Sequence, residues 1–292
     1  SCSFTYDTTG PTATLSDTDA DNFLAASDTV TITAAFSEAM TSTPTISISG
    51  TSISGQRMTK ISSLTQIGGD INGESGDDYS GHSVSFSSDG SRVAIGAYIN
   101  NGNGSNSGHV RIYDYNGSAW VQVGADIDGE AANDLSGYSV SLSSDGTRVA
   151  IGAIDNDGGG TNSGHVRIYQ YNNNSWSQLG QDINGEASED RSGYSVSLSS
   201  DGSRVAIGAP DNDGGGTRSG HVRIYQYNNN SWSQLGSDID GEAANDNSGI
   251  SISLSSDGSR VAIGAYANDG GGSNSGHVRI YQYNNNSWSQ LG

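Results

Sequence analysis

The chain has 292 residues, 42 of them Gly and only 3 Pro, and carries 12 basic against 32 acidic residues for a formal charge of −20. Such a surface repels nucleic acid and anionic membranes, and suits divalent cations, salty water or a basic partner. One cysteine, Cys2, excludes an internal disulfide and a metal–thiolate site, and no run of about 18 apolar residues is present to span a membrane.

Residues 1–60 stand apart from the rest. The runs DTTGPTATLSDTDADN and DTVTITAAFSEAMTSTPTISISG resemble the start of bacterial immunoglobulin-like domains, which occur in tandem in large surface adhesins. On that resemblance the strands would lie over 12–15, 29–36 and 45–49. That resemblance implies a sandwich of about seven strands and ~100 residues, of which roughly half is here. The missing strands come from elsewhere, or the apolar face lies on the following region. Residues 3–6 read as the last strand of a preceding unit or as a strand lent to a neighbour. Cys2 pairs between chains, stays an exposed thiol or is a processing remnant. Beginning on Ser, the sequence reads as a processed piece of something longer.

From residue 61 to 292 the chain is a repeat array. The phrase SGYSVSLSSDGTRVAIGA begins at 136, and close copies begin at 80, 192 and 248, always 56 residues apart. The units are 69–124, 125–180, 181–236 and 237–292. In unit two, Tyr138, Val140 and Leu142 alternate with serines, a period of two. Asp145 and Gly146 then make a hairpin turn, and RVAIGA returns. A Gly/Asn/Asp loop over 154–164 leads to the strand HVRIYQY, the NNN turn at 172–174 and the strand SWSQL. Four short antiparallel strands per unit predict a β-propeller blade. One unit cannot stand alone, because fixing its backbone costs roughly 1–2 kcal/mol per residue; each copy is the packing partner of the next. A fourth-strand sequence at 63–68 precedes unit one, giving five copies for four units. The spare copy is a docking template for a neighbour or marks an array that does not close within the chain.

The run GYSVSLSSDGSRVAIGAP with GHVRIYQY, over 193–210 and 220–227, resembles the FG-GAP blade repeats of integrin α-subunit propellers and their bacterial relatives. The resemblance covers about 230 residues. It implies a propeller, of seven blades in integrins against four repeats here. Integrin-type blades often carry an Asp-rich calcium loop between their first two strands; a short Ser-Ser-Asp-Gly turn fills that place.

An acidic loop opens every unit. Its residues are Asp70, Glu74 and Asp78 in unit one and Asp126, Asp128, Glu130 and Asp134 in unit two. Unit three has Asp182, Glu186 and Asp190, and unit four Asp238, Asp240, Glu242 and Asp246. Alternate carboxylates around a Gly turn supply the oxygen ligands calcium takes; the bland alternative is solvated turns and backbone caps. Asp155, Asp157, Asp211, Asp213 and Asp269 form a second Gly/Asp loop, absent from unit one, with the same two readings. His109, His165, His221 and His277 occupy equal places beside Arg111, Arg167, Arg223 and Arg279. A catalytic residue is needed once, so four equivalents predict a blade-to-blade hydrogen-bond ladder before a metal role. His82 breaks the pattern and reads as packing. Trp120, Trp176, Trp232 and Trp288 and the paired tyrosines read as packing first and sugar stacking second. Tyr79, Asp114, Arg191, Pro210 and Arg218 break the repeat, as sites of specific recognition do.

The expectation is therefore an all-β chain, a partial immunoglobulin-like module over 1–60 ahead of a four-blade array over 61–292. It is expected to be non-enzymatic, extracellular or at the cell surface. Its role would be structural or adhesive, as a filament subunit or adhesin segment stiffened by calcium, self-associating through edge strands or the partial module. The alternative is a propeller module that binds a glycan or protein; a propeller lyase or hydrolase ranks third.

Overall fold

The computed structural model describes residues 66–292 and, within 1–65, the backbone of four short strands. The chain divides into two units, Ser1–Gln66 and Ile67–Gly292. In the first, Cys2–Phe4 pairs antiparallel with Ile46–Ile48, and Ala13–Ser16 with Thr33–Phe36. The strand expected near residues 3–6 thus finds its partner inside this unit. The remainder of the expected immunoglobulin-like module lies outside the described residues.

The second unit is a propeller-like array of four antiparallel four-stranded blades, with no helix among the described residues. In the second blade the strands are Ser136–Leu142, Arg148–Ala153, His165–Asn172 and Ser175–Gln178, hydrogen-bonded in chain order. Val149 faces Leu142 on one side and Tyr169 on the other. The hairpin between the first two strands forms because Gly146 takes φ +67° and the Asp145 carboxylate accepts from the Thr147 amide at 2.9 Å. Each of the first three blades gains a short fifth strand from the start of the following repeat: Ile183–Asn184 pairs with His165 and Val166. The repeat boundary legible in sequence is therefore displaced from the blade boundary, and each entry loop is sewn to the preceding sheet.

The cores lie between blades. Val166 and Ile168 of the second blade meet Leu198, Val205, Ile207 and Trp232 of the third. The equivalent residues meet at the other two junctions. Each such set of buried aliphatic side chains contributes on the order of 10 kcal/mol. A backbone ladder runs through the inner turns: Ser88 donates to the Ser144 carbonyl, Ser144 to Ser200 and Ser200 to Ser256, at 2.8–2.9 Å. Each fourth-strand Trp donates to the carbonyl just past the fourth strand of the preceding blade, Trp176 to Val123 and Trp232 to Leu179. Trp120 does the same to Ile67, at 3.0 Å. The end of the spare fourth-strand copy thus takes the place a preceding blade would occupy.

Close approach decides which residues the second strand can carry. A Cβ on Gly152 would fall on the carbonyl oxygen of Gly193 in the next blade, whereas Gly264 of the fourth blade faces no backbone of a following unit. Gly152→Ala is expected to lower the urea midpoint sharply or prevent folding, and Gly264→Ala to change it little. Paired equilibrium unfolding curves check the contrast.

Candidate functional site

The entry loop of each repeat folds back over the start of its own blade's third strand. In the second blade the turn after Ile127 and Asp128 carries Glu130 to His165 and Arg167. His165 and Arg167 point to the face opposite Val166 and Ile168, as strand alternation requires. The Arg167 guanidinium donates to the Asp128 carbonyl at 2.7 Å and lies 3.5 Å from the Glu130 carboxylate. Glu130 Oε2 is 3.8 Å from His165 Nδ1. Asp182 enters from the following repeat and completes a three-residue set whose donor atoms lie within 4.8 Å of one another. Glu74, His109 and Asp126 form the same set one blade earlier, and Glu186, His221 and Asp238 one blade later.

His165 is 1% exposed, and neither ring nitrogen has a hydrogen-bond partner. Burial, reinforced by the neighbouring Arg167 charge, lowers its pKa to about 4, so the imidazole is neutral at pH 7. Burial also lowers His109 and His221 and raises the Glu130 and Glu186 carboxyls. The expected histidine ladder is therefore corrected at His165: the arginines make the hydrogen bonds that tie the entry loops down, because their longer side chains reach the loop carbonyls.

The acidic quartets divide into three kinds of place. Glu74, Asp126, Glu130, Asp182, Glu186 and Asp238 gather around imidazoles. Asp78, Asp134, Asp190 and Asp246 are buried, each accepting from an Asn of its own unit, as Asp134 does from Asn156 at 3.1 Å. Each also accepts a loop amide, so this carboxylate braces the loop. Asp70, Asp128 and Asp240 are exposed, and belong to no three-residue set among the described residues. Glu242 stands 3.6 Å from His277, and among the described residues they belong to no three-residue set; in every complete set the Asp comes from the following repeat. In the Gly/Asp loops, Asp157, Asp213 and Asp269 accept amides five residues on.

Beside two of the sets lies a small cleft. One, of about 190 Å³, is lined by Asp126, Asp128, Tyr169 and Trp176; its copy, about 160 Å³, by Asp238, Asp240, Tyr281 and Trp288. The tryptophans are also packing residues, Trp176 lying 5.0 Å from Tyr171.

Residues that break the repeat gather elsewhere. Arg191 lies 3.6 Å from Asp155 and 3.3 Å from Asp211, and Arg218 is 3.4 Å from Asp211. Tyr138 stacks between His82 and Tyr194, at 4.8 and 4.9 Å, and its phenol pKa is raised by burial and by its hydrogen bond with Tyr194. Asp114 forms a bidentate pair with Arg92, so its departure from the repeat serves its own blade.

No family model matches the chain, and no curated protein matches it. Solved structures similar to it include the Pseudomonas aeruginosa periplasmic gluconolactonase PpgL, 14% identical, with a TM-score of 0.49 over 72% of this chain and 56% of that one. A putative 6-phosphogluconolactonase from Bacteroides uniformis is 12% identical, with a TM-score of 0.43 over 73% and 71%. Kuenenia stuttgartiensis hydrazine synthase is 11% identical, with a TM-score of 0.45 over 76% and 53%. The chain spans little more than half of PpgL. The propeller-like expectation stands; the finer FG-GAP and integrin assignment finds no match. The expectation of a non-enzymatic structural or adhesive protein does not fit neighbours that include two lactonases, and both it and the exclusion of enzymatic activity are withdrawn.

Arg191→Leu, which restores the residue type of Leu135 in unit two, leaves Asp155 without its nearest cation. Burial already raises the Asp155 pKa, so in the variant protonation favours the folded state and the deficit grows as pH rises through that raised value. The variant is expected to lose about 1 kcal/mol near pH 7, screened because Arg191 is partly exposed, and less near pH 4. Urea unfolding at both pH values measures it.

Proposed function

We propose that this array is a divalent-cation-dependent hydrolase acting on a small ester or cyclic ester. The observation that carries the reading is the Glu130–His165–Asp182 set: two carboxylates and a buried, neutral imidazole with no other partner, their donor atoms within 4.8 Å. Neutral imidazole suits zinc or manganese better than calcium, which prefers six to eight oxygens; calcium is the ion to compare. Three protein ligands leave room for water and substrate, and a bound cation supplies an acidified water and polarises a carbonyl. Glu130 and its equivalents are 43–46% exposed, so solvent reaches the set from the loop side. The cleft beside Asp126 has the volume of a small ring, with Tyr169 and Trp176 as its apolar wall. Water would add to the carbonyl carbon, the ring C–O bond would break and the departing oxygen would take the proton. Lactones belong in the substrate panel because two of the similar structures carry lactonase names. We place the protein in a secreted or periplasmic setting.

Calorimetry with Mn²⁺, Zn²⁺ and Ca²⁺ is expected to show about three sites per chain, one for each set. Asp182→Asn should remove or weaken one of them at least tenfold. Lactone and ester hydrolysis should require the ion and stop with chelator. An absence of cation binding overturns the site; binding without hydrolysis of any panel member overturns the enzymatic reading.

A further inference from the structure

In each Glu–His–Asp set both carboxylates are gripped by one of their two oxygens. The Arg167 guanidinium lies 3.5 Å from Glu130 Oε1, while Oε2 faces His165 Nδ1 at 3.8 Å. Glu74 and Glu186 divide their oxygens in the same way, with Arg111 and Arg223 at 3.5 and 3.4 Å from Oε1 and the imidazole 3.8 Å from Oε2. The Asp has a clasp of its own. Gln178, the last residue of the fourth strand, donates its side-chain amide to Asp182 Oδ1 at 2.6 Å. Gln122 and Gln234 donate to Asp126 and Asp238 at 2.5 Å. In those two sets the other oxygen, Oδ2, faces the imidazole, 3.7 Å from His109 Nδ1 and 4.0 Å from His221 Nδ1.

The clasp closes across a turn. Gln and Asp stand four residues apart, and Gly124, Gly180 or Gly236 between them takes φ +76° to +81°, which folds the linker back. The backbone beside Asp182 is already secured by the pairing of Ile183 and Asn184 with the third strand, so the amide is not needed to hold the loop. Fixing a long polar side chain at a strand end costs rotamer entropy, yet it recurs in all three sets on the corresponding carboxylate. The His165 ring, 1% exposed with both nitrogens unpartnered, is the independent observation that points to a ligand here.

We propose that Gln122, Gln178 and Gln234 are positioning residues, which turn the Asp of each set so that it offers a single oxygen and thereby select zinc over calcium. The inference rests on the cation reading of the sets and is independent of hydrolysis. Zinc is content with four ligands, whereas calcium takes six to eight oxygens and often draws both from one carboxylate. With one oxygen of the Asp committed to an amide and one oxygen of the Glu beside a guanidinium, the set is short of donors for calcium and sufficient for zinc. Partners that orient a ligand in this way typically change metal affinity about 10–100-fold.

Calorimetric titrations with zinc and with calcium compare the parent chain with the triple variant Gln122→Met, Gln178→Met and Gln234→Met, whose side chains keep their length and lose the donor. The parent is expected to prefer zinc. The triple variant should bind zinc at least about tenfold more weakly and calcium with a smaller loss, so that the preference narrows, while its urea midpoint in chelator stays near the parent's. Gln178→Met alone should show the same change in one of the three sets, which supplies the reading should the triple variant not fold. A parent that binds neither ion overturns the cation reading and this inference with it. A parent that binds zinc, with variants that bind it equally well, overturns this inference alone. Equal losses for the two ions mean that the amides only fasten the loops, and overturn it too.

Discussion

The structure depends on one contact: the backbone of each blade comes close enough to its neighbour that no side chain fits between them at Gly96, Gly152 and Gly208. Around that point Ala94, Ala150 and Ala206 keep the same face of the sheet thin, and the aliphatic side chains of the following blade fill it. The sequence RVAIGA serves both faces at once, with Val and Ile toward the preceding blade and Ala and Gly toward the following one. A repeat protein with only 32% hydrophobic residues can fold on this plan because the aliphatic side chains that its blades bury gather at the junctions. The serines that surround them hand hydroxyls to the backbone of the next blade, as Ser139 does to Gly193.

The Glu–His–Asp sets follow from the same arrangement. Each needs the end of one entry loop, the third strand of that blade and the entry loop of the next repeat. The short fifth strand holds the last of these against the sheet. Burial at the junction removes water from the histidine and leaves it neutral, while the adjacent arginine is spent on a backbone carbonyl and offsets part of the carboxylate charge. A neutral nitrogen donor between two carboxylates is thus a by-product of stacking one blade on another.

Much of the fold was legible because it rests on local periodicity. The period-two alternation, the Asp-Gly turns and the four copies of one phrase are statements about neighbouring residues, and they placed the strands and blades. The six set carboxylates, Glu74, Asp126, Glu130, Asp182, Glu186 and Asp238, stood out in sequence as parts of the acidic loops. Their histidines were visible too, but repetition argued for a structural ladder, since a hydrogen bond and a coordination geometry look alike in a linear pattern. Nothing local separated Asp134, which braces its own loop, from Asp182, which crosses to another blade. Arg191 and Arg218 declared themselves by breaking the repeat, yet Asp155 and Asp211, their partners, did not.

The amino-acid sequence by itself determined the all-β character, the 56-residue unit and its need for neighbours, because alternation, turn chemistry and conformational entropy act over a few residues or scale with length. Tertiary structure alone decided which carboxylate meets which imidazole and where a blade begins. Those outcomes turn on the relative placement of adjacent sheets, a distance of a few ångströms between residues some fifty positions apart, and no local pattern encodes it.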